Sequence, residues 1–144
     1  MVDDDGWVGR EIQVTYVVAE SDLAIALGSG DVPVLATPRV LAWFEAATVS
    51  VLGDLLAPER TSVGIAVEVD HVAASPVGAD VIVSATIRRS DSRSVTFDCQ
   101  AAHLVGSGGA TVIAEGTVTR AIVDRQRFLA KLPAAAGTDS GGTG

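Results

Sequence analysis

With 144 residues the chain has the length of one domain, enough to bury roughly two-thirds of its unfolded surface without metals or disulfides. Apolar residues at 48% against 19% charged exclude a disordered chain, and ten basic against eighteen acidic residues argue against a nucleic-acid or anionic-membrane partner. One cysteine asks for no oxidising compartment, the acidic opening has the wrong charge for a signal peptide, and no apolar run approaches about 18 residues, so a soluble cytoplasmic domain is expected.

Residues 1–10 are acidic and glycine-containing and are expected to be flexible. Residues 133–144 lack large apolar side chains and are expected to form a disordered tail. Between them lies a single domain, 11–132. Glu11–Val18 is rich in β-branched residues and reads as a strand. Ser21 reads as the N-cap of a short helical turn through Leu27, stopped by Gly28-Ser29-Gly30. Thr37 as N-cap and Pro38 at the first helical position open the clearest helix. From Val40 to Leu56 nearly every residue is apolar, so burial around most of the helix circumference is predicted.

After Pro58 the period changes to two. Val63, Ile65, Val67, Val69, His71 and Ala73 alternate onto one predicted strand face, with Glu68 and Asp70 on the other. Asp80–Ser90 forms the next strand, turned by Asp91-Ser92-Arg93 into Ser94–Val105. Gly106–Gly109 turns again into Thr111–Val123, and Asp124–Leu132 has room for one or two closing helical turns. Short turns join antiparallel neighbours, so the predicted architecture is α+β: a five-stranded antiparallel sheet around one long central helix. One helix covers little of such a sheet, and open edges invite a second copy, so a homodimer is expected.

Glu45 is the strongest chemical signal. It is the sole ionisable side chain from Val40 to Gly53, and its helical neighbours Leu41, Thr48 and Val49 offer no cation. Burial penalises an unpaired carboxylate, and a carboxylate so placed suits general-base or nucleophilic catalysis. The alternative is that this helix face reaches water, or that Glu45 caps a neighbouring backbone.

His71 lies on the strand face predicted to look at the helix, where a histidine is either a hydrogen-bonded core residue or the partner of Glu45. Thr37 is explained as an N-cap, although the same helix end offers free N–H groups to an oxyanion. Thr37 and Glu45 are eight residues apart, roughly 12 Å along a regular helix, so they do not touch within one straight helix. Either the first turn is irregular or a partner subunit closes the site. Cys99 reads as core, and His103 as a structural or rim residue. The spacing of the two histidines makes no zinc site. Arg88, Arg89 and Arg93 around one turn are either a solvated turn or a holder of a phosphorylated ligand.

Against this layout, three stretches carry a family resemblance. They are Val34-Leu35-Ala36-Thr37-Pro38 entering the helix, Glu45 within it, and Thr61-Ser62-Val63-Gly64 followed by His71. With these, Glu11–Leu132 resembles the hot-dog-fold thioesterases of the fluoroacetyl-CoA thioesterase branch. The resemblance implies that Thr37, Glu45 and His71 are catalytic and that Gly64, with Pro38 and Arg39, binds substrate. It implies a homodimer that hydrolyses an acyl-CoA thioester, needing no metal or cofactor beyond the CoA of its substrate. Glu45 would attack the carbonyl or activate water, His71 would stabilise charge and move protons, and Thr37 would orient carboxylate or substrate. Residues 21–36 contain no aromatic side chain to close over a small acyl group, so an ordinary short or medium acyl group is expected as readily as a fluorinated one. Two other functions fit the same layout: a hot-dog hydratase or dehydratase, and a non-catalytic acyl-CoA or small-ligand-binding dimer.

Overall fold

The computed structural model describes residues 6–136; the expectations for residues 1–5 and 137–144 fall outside the described residues. In chain order the elements are β1 (Glu11–Val17), a 3-10 turn (Glu20–Asp22), α1 (Ala24–Leu27), α2 (Thr37–Gly53), β2 (Arg60–His71), β3 (Asp80–Ser90), β4 (Ser94–Val105), β5 (Gly109–Asp124) and α3 (Arg125–Ala130). The strands form one sheet in the order β1-β3-β4-β5-β2, and each neighbouring pair is antiparallel. This is the α+β architecture expected from the hydrophobic pattern. No helix among the described residues is long and apolar enough to cross a membrane.

Alternation builds the core. Val81, Val83, Ala85 and Ile87 of β3 and Val95, Phe97, Cys99 and Ala101 of β4 are buried, as their shared parity predicts. They face Val40, Trp43, Phe44, Ala47, Val51 and Leu52 of α2. Tyr16 of β1 stacks on Trp43 with ring centroids 4.2 Å apart, which ties the helix to that side of the sheet.

Three local expectations are corrected. Neither Ser21 nor Thr37 is an N-cap. Ala19 precedes the 3-10 turn, its N–H donating to the Asp22 carboxylate, Leu23 caps α1, and Ala36 caps α2 without a side-chain bond. The Thr37 hydroxyl is committed elsewhere, as described below. Second, α2 is buried on one face only in the protomer: Val49, on the opposite face, is 49% exposed. Third, a β-bulge between Gly64 and Ala66 reverses the predicted parity of the first part of β2. Ser62 and Gly64, rather than Val63 and Ile65, turn toward the helix side, where they meet Arg120 and Glu45. Ile65 is left 58% exposed, with Val67 43% exposed on the same strand. β2 is therefore a long edge strand with apolar side chains in solvent.

Candidate active site

Two polar groups are organised along α2. At its N-terminus, Thr37 Oγ1 lies 2.7 Å from His71 Nδ1, at the far end of β2. The strand expectation for His71 thus holds: it points at the helix, and the threonine that opens the helix holds its ring. Both residues lie in the wall of a cleft of about 330 Å³, otherwise lined by small or aliphatic residues such as Ala24, Val32, Val34, Leu35 and Ala73. A slightly larger depression lies on the outer face of the sheet among Ser84, Thr86, Asp98, Gln100 and Glu115 and contains none of the candidate residues.

The second group sits two helical turns along. Glu45 is not the unpaired carboxylate that its helical neighbours imply. Arg120 of β5 reaches it from across the protein, with Nη1 3.4 Å from Glu45 Oε2. The Glu45 side chain is 39% exposed in the protomer, while that of Arg120 is 8% exposed. Arg120 is itself held by Ser62, donating from Nε to the hydroxyl at 2.8 Å and from Nη2 to the carbonyl at 3.3 Å. Gly64 packs directly against the carboxylate. Pro38 occupies the first turn of α2, and Arg39 pairs with Asp22 at 2.9 Å and donates to the Ser21 carbonyl, which fastens the 3-10 turn to the helix. The helix is continuous from Thr37 to Gly53, so the eight-residue separation of Thr37 and Glu45 stands within one protomer.

A family profile for the fluoroacetyl-CoA-specific thioesterase matches residues 18–126. The chain belongs to that family. The fluoroacetyl-CoA thioesterase of Streptantibioticus cattleyicolor is 32% identical over 99 residues, which span 69% of this chain and 68% of that protein. The solved structure of a fluoroacetyl-CoA thioesterase superposes with a TM-score of 0.77 at 28% identity, covering 90% of this chain and all of the other. A hot-dog-like protein from Thermanaerovibrio acidaminovorans shares the fold at 21% identity, with a TM-score of 0.75 over 89% of this chain and 94% of its own.

Within this member of the thioesterase family, burial lowers the His71 pKa below its ordinary 6.5, and the nearby Ala73 peptide group only partly offsets the effect. Its Nε2 is buried and has no well-formed hydrogen bond among the described residues. Because the folded state holds this proton less tightly than the unfolded chain, the contribution of His71 to stability is fully present above about 6.5. It is lost as pH falls from there through the lower folded value. Turnover that uses the neutral ring is expected to fall on the acid side with an apparent pKa below 6.5, and a kcat/KM–pH profile checks this. An acid limb centred above 6.5 would contradict the assignment.

Arg120 is the site residue that the sequence reading missed. Its signal was parity: with Val118 and Ile122 it lies on the inward-facing alternate positions of β5, where a charge needs a partner. Burial pulls its pKa below the usual arginine value, and the Glu45 charge opposes that pull. Cys99, by contrast, is buried core as expected, its thiol pushed up to about 12 chiefly by desolvation.

Gly64 has a steric role. A Cβ at this position would collide with Glu45 Oε2 and lie 3.4 Å from Arg120 Nη1. The carboxylate is the mobile end of a side chain, so it gives way and the fold survives. Gly64→Ala is expected to lower kcat/KM on the order of 100-fold through misplacement of Glu45, with little change in thermal unfolding. Unchanged turnover would show that the close approach of Gly64 has no function.

Proposed function

We propose that this chain is an acyl-CoA thioesterase acting as a homodimer, which hydrolyses a short or medium acyl-CoA to free acid and CoA with Glu45, His71 and Thr37 as its catalytic set. The observation that carries this reading is the 2.7 Å Thr37–His71 pair in the wall of an aliphatic cleft, in a chain of this family. Variants of the fluoroacetyl-CoA thioesterase have been solved with fluoroacetate and CoA, and with acetyl-CoA. Here the cleft lining is small and aliphatic, which favours an ordinary acyl chain as substrate.

The chemistry follows from the groups present. Glu45, paired with Arg120, attacks the thioester carbonyl carbon to give a mixed anhydride that water then cleaves, or takes the proton of an attacking water. Charge develops on the carbonyl oxygen, where N–H groups and the positive end of α2 stabilise it. His71, oriented by Thr37, carries the proton between water and the leaving sulfur. CoA leaves as the thiol and the acid leaves as the carboxylate.

The two polar groups are too far apart to act on one carbonyl within a protomer. A two-fold pairing of β2 edges brings Thr37 and His71 of one protomer to Glu45, Gly64 and Arg120 of its partner. Such a dimer covers Val49, Ile65 and Val67, the apolar side chains left in solvent on α2 and β2. The test is free-thiol release from acetyl-, butyryl- and hexanoyl-CoA. Stoichiometric thiol and acid are expected, and with crotonyl-CoA any loss of enoyl-thioester absorbance is matched by released thiol. Loss of the conjugated enoyl absorbance without thiol would overturn hydrolysis in favour of hydration.

A further inference from the structure

The chain has two histidines, and each meets a hydroxyl through its Nδ1 at the same end of the sheet. One is the Thr37–His71 pair of the candidate site. The other is Ser75 with His103, Oγ lying 2.8 Å from Nδ1. His103 stands opposite Val81 of β3, which is fully buried, so its ring points to the helix side of the sheet. Ser75 is fully buried as well, and a hydroxyl so placed needs a partner. The catalytic set uses neither residue.

Ser75 sits where two backbone segments meet. Its carbonyl accepts the Leu35 N–H at 2.9 Å. Leu35 lies two residues ahead of Thr37, and Ser75 lies four residues past His71. One serine therefore joins the segments that deliver both members of the polar pair. The same segments wall the cleft, through Leu35, Ala36, Ala73 and Ala74. Ala73 and Ala74 carry no side chain large enough to fix this wall by packing, so hydrogen bonds must hold it. At its start Val72 and Ala73 donate to the carbonyl of Ile113, within a bulge of β5, at 2.7 and 3.3 Å. At its far end the Ser75 hydroxyl is anchored on His103.

We propose that His103 is a positioning residue for the Thr37–His71 pair: by holding Ser75, it fixes the spacing of the two segments that carry the pair and sets the width of the acyl cleft. The proposal rests on the thioesterase reading for its substrate, while the positioning itself concerns the protein alone. Without the His103 bond, Ser75 turns away and its grip on Leu35 loosens. The wall at Ala73 and Ala74 then drifts from the segment entering α2. Two consequences follow: the His71 ring loses its alignment with Thr37, and the cleft accepts a longer chain. A purely structural pair would lower the unfolding midpoint and leave the folded protein's turnover and selectivity alone.

The test compares the parent protein with Ser75→Ala, His103→Ala and His103→Asn, well below their unfolding midpoints. The Asn side chain places a polar atom near the position of Nδ1. Both alanine variants are expected to lower kcat for butyryl-CoA about tenfold, because small misplacements of acting groups are costly. The ratio of kcat/KM for hexanoyl-CoA to that for butyryl-CoA rises at least about threefold, as a wider apolar cleft discriminates less by chain length. His103→Asn restores most of both. Imidazole nitrogen signals of the labelled protein give a second readout, since His103→Ala leaves His71 as the sole histidine. The His71 signals are expected to move in both alanine variants and to return toward the parent in His103→Asn. Should His103→Ala fail to fold, Ser75→Ala, which removes only a hydroxyl, carries the test. Kinetics within about twofold of the parent for both substrates, with unmoved His71 signals, would overturn the proposal. If the parent releases no thiol from any acyl-CoA, the thioesterase reading fails by itself. The His71 signals then decide the positioning: moved and restored by Asn they uphold it, unmoved they overturn it.

Discussion

Replacing Glu45 with alanine is expected to lower acyl-CoA turnover by about 1,000-fold or more while the protein remains folded. General-base or nucleophilic help from a positioned carboxylate is worth roughly 10²–10⁴ in rate, and α2 holds no second ionisable group from Val40 to Gly53 to take over. The fold tolerates the change for a specific reason. Arg120 keeps two bonds to Ser62, so truncating Glu45 does not strand a buried guanidinium without partners. Glu45 is also 39% exposed, so little desolvated area is lost. Free-thiol release and thermal unfolding, measured on the same preparation, check both halves. A variant that keeps turnover within a few-fold of the parent would remove Glu45 from the mechanism.

Gly116→Val is the substitution expected to damage the fold most. Gly116 sits in β5 between Cys99 of β4 and Val69 of β2. A Cβ built there would run into the carbonyl oxygen of Glu68, a backbone atom of the neighbouring strand, with no flexible side chain to yield. Relief requires β2 to separate from β5, which breaks ladder bonds at the strand that carries His71 and Gly64. Overpacking alone costs roughly 1–3 kcal/mol, and lost ladder bonds add to it. Against a total stability on the order of 5–15 kcal/mol, a large drop in the denaturant midpoint follows, and insoluble expression at physiological temperature is the extreme outcome. An unchanged midpoint would show that the β2–β5 ladder adjusts more freely than its close packing implies.

Much of this architecture was legible because it is local. The alternation of Val81, Val83, Ala85 and Ile87, the Thr37-Pro38 helix start and the Asp91-Ser92-Arg93 turn all encode structure within a few residues. The misreadings arose where distant residues compete for a local role. Thr37 has the right side chain for an N-cap, but His71, 34 residues later, takes its hydroxyl. The bulge at Ile65 leaves no mark in a run of alternating valines, yet it decides that Gly64 rather than Ile65 meets Glu45. Glu45 looked unpaired because its cation lies 75 residues away, on a strand that only the folded sheet brings to it. The apolar helix looked fully buried because the sequence does not say whether its own sheet or a second copy covers Val49.

Mixing two inactive variants tests most directly whether hydrolysis takes place at a site shared between protomers. His71→Ala and Glu45→Ala, unfolded together, refolded at equal concentrations and assayed for thiol release from butyryl-CoA, are expected to recover about one quarter of parental activity. Half of the dimers are then mixed, and each mixed dimer carries one site with Thr37 and His71 from one protomer and Glu45 from the other. If the mixture stays as inactive as either variant alone while parental protein refolded in the same way regains turnover, the three residues do not form one site across the interface.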